Sequence, residues 1–88
     1  MNLNNPEARA AAERAYWEAV KDCLVEFHEF NVHDAENAVY GYQKEVVSQM
    51  SSPLLIFHEE PFYLANEIAD KELPLAPYRE KYRKIVQG

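Results

Sequence analysis

The hydrophobic positions in the first third of the chain recur with the period of an α-helix. Steps of three and four residues connect Tyr16, Val20, Cys23, Leu24, Phe27 and Phe30, with Trp17 at the edge of the stripe. Asn5 and Pro6 suit the cap and the first position of a helix, and the alanine-rich run that follows favours helix formation. The pattern predicts one long helix over about residues 6–29.

A second helical pattern follows Asn31, which either ends the first helix or caps the second. Its apolar positions recur at helical spacing and are Val32, Ala35, Val39, Tyr42, Val46 and Met50. Gly41 lies inside this pattern at a cost of about 1 kcal/mol relative to alanine, and either admits a close neighbour or is simply tolerated. Tyr40 and Val47 fall off the stripe and indicate a second apolar contact. We expect the second helix to end near Ser51.

The next segment contains a short apolar run and then a third helix. Residues 54–58 form either a single helical turn, capped by Ser52, or an extended buried connection, since a short apolar run does not distinguish the two. Pro61 suits the first position of a helix that ends near Asp70 or Lys71. The inward ridges of this helix are expected to contain Phe62, Leu64, Ala65, Ile68 and Ala69.

The last part of the chain predicts a connection and a fourth helix. Residues 72–77 contain two prolines, and we expect an extended connection anchored to the core by Leu73 and Leu75. Pro77 begins the fourth helix, whose inward positions are Tyr78, Tyr82 and Ile85. No strand alternation occurs along the chain. The sequence therefore predicts an all-α, four-helix bundle-like domain over residues 1–88, with two long helices in a hairpin, two shorter helices, and a possible extra turn near 54–58.

The composition limits the location and the redox environment. The longest apolar run, residues 53–57, is far shorter than the ~20 residues that span a bilayer, and no secretory signal is seen. The chain has one cysteine, Cys23, which excludes an internal disulfide framework. We expect a cytoplasmic protein with no membrane partner.

Charge is spread unevenly along the chain, whose net charge is −6. Such an acidic balance argues against nucleic-acid binding and is compatible with docking on a basic protein. Residues 45–70 contain no lysine or arginine, and aromatic residues lie among their acids. We predict a partner-binding surface formed by Glu45, Phe57, His58, Glu59, Glu60, Tyr63, Glu67 and Asp70. The alternative is that the aromatic side chains belong to the core and the acids to a solvated rim.

Candidate chemistry is sparse in this sequence. His28, His33 and His58 stand near acids, but their spacing matches no metal-ligand motif, so we predict no metal or cofactor and keep a metal site as an alternative. Cys23 lies on the apolar stripe, where a cysteine behaves as a small hydrophobe. The two glycines exclude a glycine-rich phosphate loop, and no nucleophile–base spacing is found. We therefore do not expect an enzyme.

The order of the elements resembles that of the immunity proteins that neutralise nuclease colicins. Those proteins are similar in length, acidity and helical content, and a very short third helix docks on the toxin through a Tyr-Tyr-Pro-type motif. The corresponding residues here are 52–58, in which Ile56, Phe57 and His58 replace the tyrosines and the proline. Residues 57–62, followed by Leu64, Ala65 and Ile68, also resemble small bacterial helical proteins of no assigned function. The colicin resemblance implies an inhibitor that covers a basic site on a protein partner.

Three functions follow from the sequence. The first is a protein-binding module, of the immunity or inhibitor type, that presents the acidic 45–70 region to a basic partner. The second is a structural or adaptor protein that forms a homodimer through Trp17, Val25, Tyr40 and Val47, which lie outside the narrowest apolar stripes. The third is a small metal-binding protein that uses His28, His33 or His58.

Overall fold

The computed structural model describes residues 6–51 and 53–87. All the regular secondary structure within these ranges is helical. The α-helices are α1 (Pro6–His28), α2 (Val32–Glu45), α3 (Pro61–Ala69) and α4 (Arg79–Gln87), and the short 3-10 helices are Val47–Gln49, Pro53–His58 and Ala76–Tyr78. The predicted all-α class is confirmed. The predicted caps Asn5 and Ser52 lie outside the described residues. In the described ranges no helix has the length and apolar character needed to cross a membrane.

Helix α1 carries the centre of the core and contacts the other three α-helices. Val20, Cys23 and Leu24 are fully buried along its predicted stripe. Phe27, one turn further, packs its ring against Phe62 of α3 at a centroid distance of 5.2 Å. Each large apolar side chain buried in this way contributes about 1.5–3 kcal/mol to stability. The predicted inward face of α1 is confirmed.

The junction between α1 and α2 is a short turn with a defined cap. Glu29 takes a left-handed conformation (φ 62°) and ends α1. The Asn31 side chain accepts a hydrogen bond from the Asp34 amide at 2.8 Å, while its amide nitrogen donates to the Asp34 carboxylate at 3.0 Å. Asn31 is therefore the cap of α2, which settles the alternative left open by the sequence.

Helix α2 is shorter than predicted, because it ends at Glu45 instead of continuing to Met50. Val46 keeps right-handed helical angles (φ −107°, ψ −58°) and donates to the Tyr42 carbonyl at 2.9 Å, and the chain then tightens into the 3-10 turn Val47–Gln49. A 3-10 turn has fewer residues per turn than an α-helix, so the phase of the side chains shifts. Val47, the first residue of the turn, packs on the core, whereas Val46, which precedes the turn, is 42% exposed. The predicted inward positions of Val46 and of the exposed Val32 in the first turn are wrong.

Helix α3 begins at Pro61, as predicted, and ends in a left-handed turn at Asp70 (φ 56°). The amide of Lys71 donates to the carbonyl of Asn66 at 3.0 Å, and that of Asp70 donates to Glu67 at 3.2 Å. These two bonds form a Schellman-type helix end. The turn sends residues 71–74 back beside α3.

The connection to α4 differs from the predicted extended segment. Residues 71–74 are irregular, but Leu75 already has helical dihedral angles (φ −70°, ψ −35°), and the 3-10 turn Ala76–Tyr78 leads directly into α4. Pro77 therefore lies inside a 3-10 turn and does not begin the α-helix. Packing of Leu75 and Tyr78 against the core favours this turn over the extended backbone that prolines promote. The predicted burial of Tyr82 is confirmed.

Candidate functional site

A groove runs between α3 and the returning segment 71–74. We call it the acidic groove, and its lining residues are Glu59, Tyr63, Asn66, Glu67, Asp70, Lys71, Glu72, Leu73 and Pro74. Four of these residues carry carboxylates and one, Lys71, carries a positive charge. The groove therefore presents concentrated negative charge beside one aromatic side chain.

Helical spacing accounts for two of the groove residues. Tyr63 and Glu67 are four residues apart in α3 and lie on one face of the helix, while Glu59 precedes the helix and Asp70 follows it in the left-handed turn. Tyr63 stands in the middle of this face and is 46% exposed. Its ring packs edge-on against Phe62 at 5.7 Å, so the exposed aromatic side chain rests on the core.

The entry to the groove is held by a tyrosine of α1. The hydroxyl of Tyr16 lies 3.0 Å from the carbonyl oxygen of Ile56 and 2.8 Å from that of Glu59. The ring of Tyr16 packs edge-on against Phe57 at 5.0 Å. The pKa of Tyr16 lies above its ordinary value, because of burial and then because of the nearby Glu59 charge. Tyr16 thus fixes the backbone from which Glu59 projects.

The carboxylates of the groove act on one another and on a tyrosine of α2. The pKa of Glu59 is raised by burial and by the charge of Glu67. Tyr42 donates a hydrogen bond to Glu67 Oε2 at 3.2 Å. Burial and the same Glu67 charge raise the pKa of Tyr42 to about 12. Both shifts have burial as their main cause, and the nearby negative charge of Glu67 adds to it.

The ion pairs in the described part of the chain lie elsewhere. Lys21 pairs with Glu18 on α1, and Lys81 of α4 pairs with Glu26 at 3.1 Å. No carboxylate of the acidic groove pairs with a lysine or arginine among the described residues. A cation brought by another molecule would not have to displace a lysine or arginine of the described residues from these carboxylates, although Glu67 also accepts the Tyr42 hydrogen bond.

The floor of the groove is a hydrogen-bonded relay from α1 to the returning segment. The imidazole Nε2 of His28 lies 2.9 Å from Asn66 Oδ1, and Asn66 Nδ2 donates to the Leu73 carbonyl at 3.0 Å. Because Oδ1 is an acceptor, Nε2 carries the hydrogen, which leaves Nδ1 buried with no hydrogen-bond partner. Burial lowers the pKa of His28, and the charge of Lys71 lowers it further against the opposing effect of the Asn66 bond.

The structure brings four of the eight predicted surface residues into the groove: Glu59, Tyr63, Glu67 and Asp70. Glu45 is exposed at the end of α2, and His58 is exposed at the end of its 3-10 helix, and neither lines the groove.

Two further predicted residues are engaged in the fold. Phe57 is half-buried and packs on Tyr16 and on Trp17, the latter at 6.1 Å, so it belongs to an internal ring cluster. Glu60 precedes α3 and accepts a hydrogen bond from the buried Tyr82 hydroxyl. The Glu60 carboxylate thus ties α4 to the start of α3.

The sequence did not assign five of the lining residues to this surface, namely Asn66, Lys71, Glu72, Leu73 and Pro74, and it missed the contact of Tyr42 with the groove. Glu72 was assigned to an extended connection, and the left-handed turn at Asp70 returns it to the groove. Tyr42 was assigned to the core stripe of α2, although its hydroxyl reaches Glu67. Asn66 is a buried polar residue in the middle of α3, and an asparagine in an apolar helix is a signal that could have marked a structural hydrogen bond.

The structure does not assemble the candidate metal ligands. His28 is bound to Asn66, and His33 and His58 are exposed at different helix ends. Across residues 6–51 and 53–87 no three His, Cys, Asp or Glu side chains are close enough to hold one ion. Cys23 is buried, and burial raises the pKa of its thiol to about 12, so the thiol is protonated at neutral pH.

Comparison with known proteins leaves the acidic groove without a described counterpart. No protein-family model, no curated protein and no solved structure matches the chain. The resemblance in layout to the nuclease-colicin immunity proteins therefore stays a prediction from the sequence.

Proposed function

We propose that the protein is a protein-binding module whose acidic groove receives a basic segment of a partner protein. The observation that carries the proposal is the set of four groove carboxylates around the half-exposed Tyr63, with Lys71 as the only cation among the described lining residues. We place the groove on a four-helix bundle-like scaffold with α1 and α2 as a hairpin, which the contacts of α1 with the other helices support.

The two kinds of groove residue have separate roles in this proposal. The carboxylates attract a positively charged segment and speed its approach. Tyr63 offers a firmly supported aromatic ring, on which an arginine or lysine of the partner can lie. A cation between Glu59 and Glu67 also relieves the repulsion that raises the Glu59 pKa.

An immunity or inhibitor protein is the particular kind of module that we favour. The net charge of −6, the short helical chain and the acidic groove suit a protein that covers a basic site on its target. We keep the cytoplasm as its expected location, because a chain with a single cysteine has no internal disulfide.

The test is a binding measurement with a defined probe, a synthetic peptide that carries arginine at every third or fourth position. Isothermal titration gives its affinity for the wild-type protein and for a variant with both Glu59→Lys and Glu67→Lys. We expect the double reversal to weaken binding by at least about tenfold at low salt, since two attractive contacts become repulsive. The wild-type affinity should fall as salt is added.

A matched control is Glu45→Lys together with Glu80→Lys, two exposed carboxylates outside the groove. This control changes the net charge by the same amount and should weaken binding much less. Circular dichroism shows whether all variants keep their helices. Equal losses for the two double variants would show that the peptide senses only the overall charge, and the proposal would be rejected.

A further inference from the structure

A second groove lies between α1 and α2 and differs in character from the acidic groove. Its apolar surface is formed by Trp17, Val39 and Tyr40, with the small side chains of Ala10 and Ala15 beside them. Tyr40 is 64% exposed, the most of any large hydrophobic residue described. An aromatic side chain on a helix face with small neighbours leaves room for another helix to approach closely.

The charges around this second groove are of both signs. Glu13, Arg14, Glu18 and Lys21 lie along its α1 wall, and Glu36 lies on the α2 wall. Arg14 is exposed and forms no ion pair with another residue of the described ranges. We call this surface the mixed-charge groove. On a protein with a net charge of −6, it is a surface where two identical molecules can meet with little repulsion.

The order of the charges makes this surface complementary to itself. Arg14 and Glu18 are four residues apart and lie on one side of α1. Glu18 pairs with Lys21 of its own copy through Oε1, and its side chain is 65% exposed, so Oε2 is open to an arginine of another copy. If two copies of α1 cross in antiparallel orientation about a two-fold axis near Trp17, Arg14 of each copy meets Glu18 of the other. A symmetric interface repeats every contact, so this ion pair forms twice.

We propose that a second copy of this chain docks in the mixed-charge groove and forms a symmetric dimer. The Trp17 and Tyr40 side chains supply its apolar centre, and the Arg14–Glu18 pairs fix the antiparallel orientation of the helices. The mixed-charge groove and the acidic groove share no lining residue. The dimer can therefore be tested without reference to the basic partner.

The test uses reciprocal charge variants and sedimentation equilibrium between about 5 and 500 µM, a range that detects even weak dimers. The wild type should dimerise within this range. Arg14→Glu places an acid at both positions 14 and 18, and Glu18→Arg places an arginine at both. Like charges then meet across the symmetric interface, so each variant alone should be monomeric. An equimolar mixture should regain the dimer, because both pairs across the mixed interface then join an acid of one copy to a base of the other.

Substitution of the apolar centre provides the second arm. Tyr40→Ser should weaken the dimer by at least about tenfold, since a large aromatic contact is lost twice. Tyr63→Ser is the matched control, because Tyr63 is an exposed tyrosine on the acidic groove, and it should leave the dimer intact.

Three results would overturn the proposal. The first is a wild type that stays monomeric up to the highest concentration. The second is a dimer that survives Arg14→Glu or Tyr40→Ser, which would place the interface on another surface. The third is a mixture of the two charge variants that stays monomeric while both retain wild-type helical content, because such a result removes the Arg14–Glu18 contact.

Discussion

The acidic groove and the mixed-charge groove are similar in size and differ in the balance of their charges. The acidic groove encloses about 870 Å³ and the mixed-charge groove about 760 Å³. The acidic groove has four carboxylates, one cation and an exposed tyrosine, whereas the mixed-charge groove has three carboxylates, two cations and a Trp–Tyr pair. Size therefore does not distinguish the partners that the grooves suit. We expect the arrangement of charge to distinguish these partners. The carboxylates of the acidic groove would attract a basic segment of another protein, whereas the alternating charges of the mixed-charge groove would suit a second copy of the chain.

The grooves also differ in what supports them. The walls of the mixed-charge groove belong to α1 and α2, whose own backbone hydrogen bonds hold them. One wall of the acidic groove is the irregular segment 71–74, which Asn66 holds through a side-chain hydrogen bond to Leu73. Single substitutions should therefore damage the acidic groove more readily.

The largest effect is expected from Asn66→Ala. This change leaves the His28 imidazole and the Leu73 carbonyl without their partner, and a lost buried hydrogen bond of this kind costs about 2–3 kcal/mol. Urea unfolding measures the loss. The exposed Asn37→Ala is the control and should change stability by less than about 0.5 kcal/mol. A loss as small as that of the control would show that the relay does not support the groove.

A pH dependence should follow from the same relay. The pKa of His28 is lowered by burial, so on acidification the unfolded chain takes up a proton at about pH 6.5 before the folded protein does. The contribution of the neutral His28 to the free energy of unfolding is therefore full above about pH 6.5, and it is lost as the pH drops toward the pKa of His28 in the folded protein. Urea unfolding between about pH 7.5 and 5.5 measures this fall.

His28→Gln retains a donor for Asn66 and should flatten the pH dependence in that window. The exposed His33→Gln is the control and should keep the wild-type slope. Identical slopes for the wild type and His28→Gln would contradict the assignment to His28.

A smaller effect, of opposite sign, is expected from Gly41→Ala in α2. Apart from its chain neighbours and the backbone of its own helix, nothing lies within 4 Å of a Cβ atom built at Gly41, so an alanine fits there. The substitution should stabilise the protein by about 0.5–1 kcal/mol through helix propensity, as thermal or urea unfolding would show. Because Gly41 does not line the acidic groove, peptide binding there should not change. A destabilised variant would show that Gly41 admits a close neighbour.

The smallest effect is expected from Glu67→Gln, which removes one charge of the acidic groove and keeps an acceptor for Tyr42. The pKa of Glu59 should fall toward its ordinary value, because the opposing Glu67 charge is gone. Titration of the Glu59 carboxyl by NMR measures this fall. Glu36→Gln in the mixed-charge groove serves as the control. An unchanged Glu59 pKa in Glu67→Gln would show that the two carboxylates do not interact.

The sequence predicts the helices well where apolar spacing and proline position agree. The inward face of α1 and the start of α3 at Pro61 are confirmed. The predicted end of α2 is wrong because the apolar spacing continues to Met50 and does not report the change to a 3-10 turn at Val47, which packs on the core while Val46 is exposed. Propensity and period are local properties, whereas that turn depends on contacts with the rest of the fold.

The acidic groove could be predicted only in part. The shared face of Tyr63 and Glu67 in α3 follows from residue spacing, whereas Glu59 precedes the helix. The position of Glu72 depends on the left-handed turn at Asp70, and the capture of Glu60 by Tyr82 joins residues 22 apart in sequence. Such contacts between distant residues carry no signal in a single sequence.

The central claim is that the acidic groove receives the basic partner. An NMR titration of the isotope-labelled wild-type protein with the arginine-containing peptide tests it most directly. The account predicts that the largest chemical-shift changes cluster at Glu59, Tyr63, Glu67 and Asp70 and saturate at a single site. Changes that are centred on Trp17 and Tyr40, or that are spread evenly over the acidic surface, would contradict it.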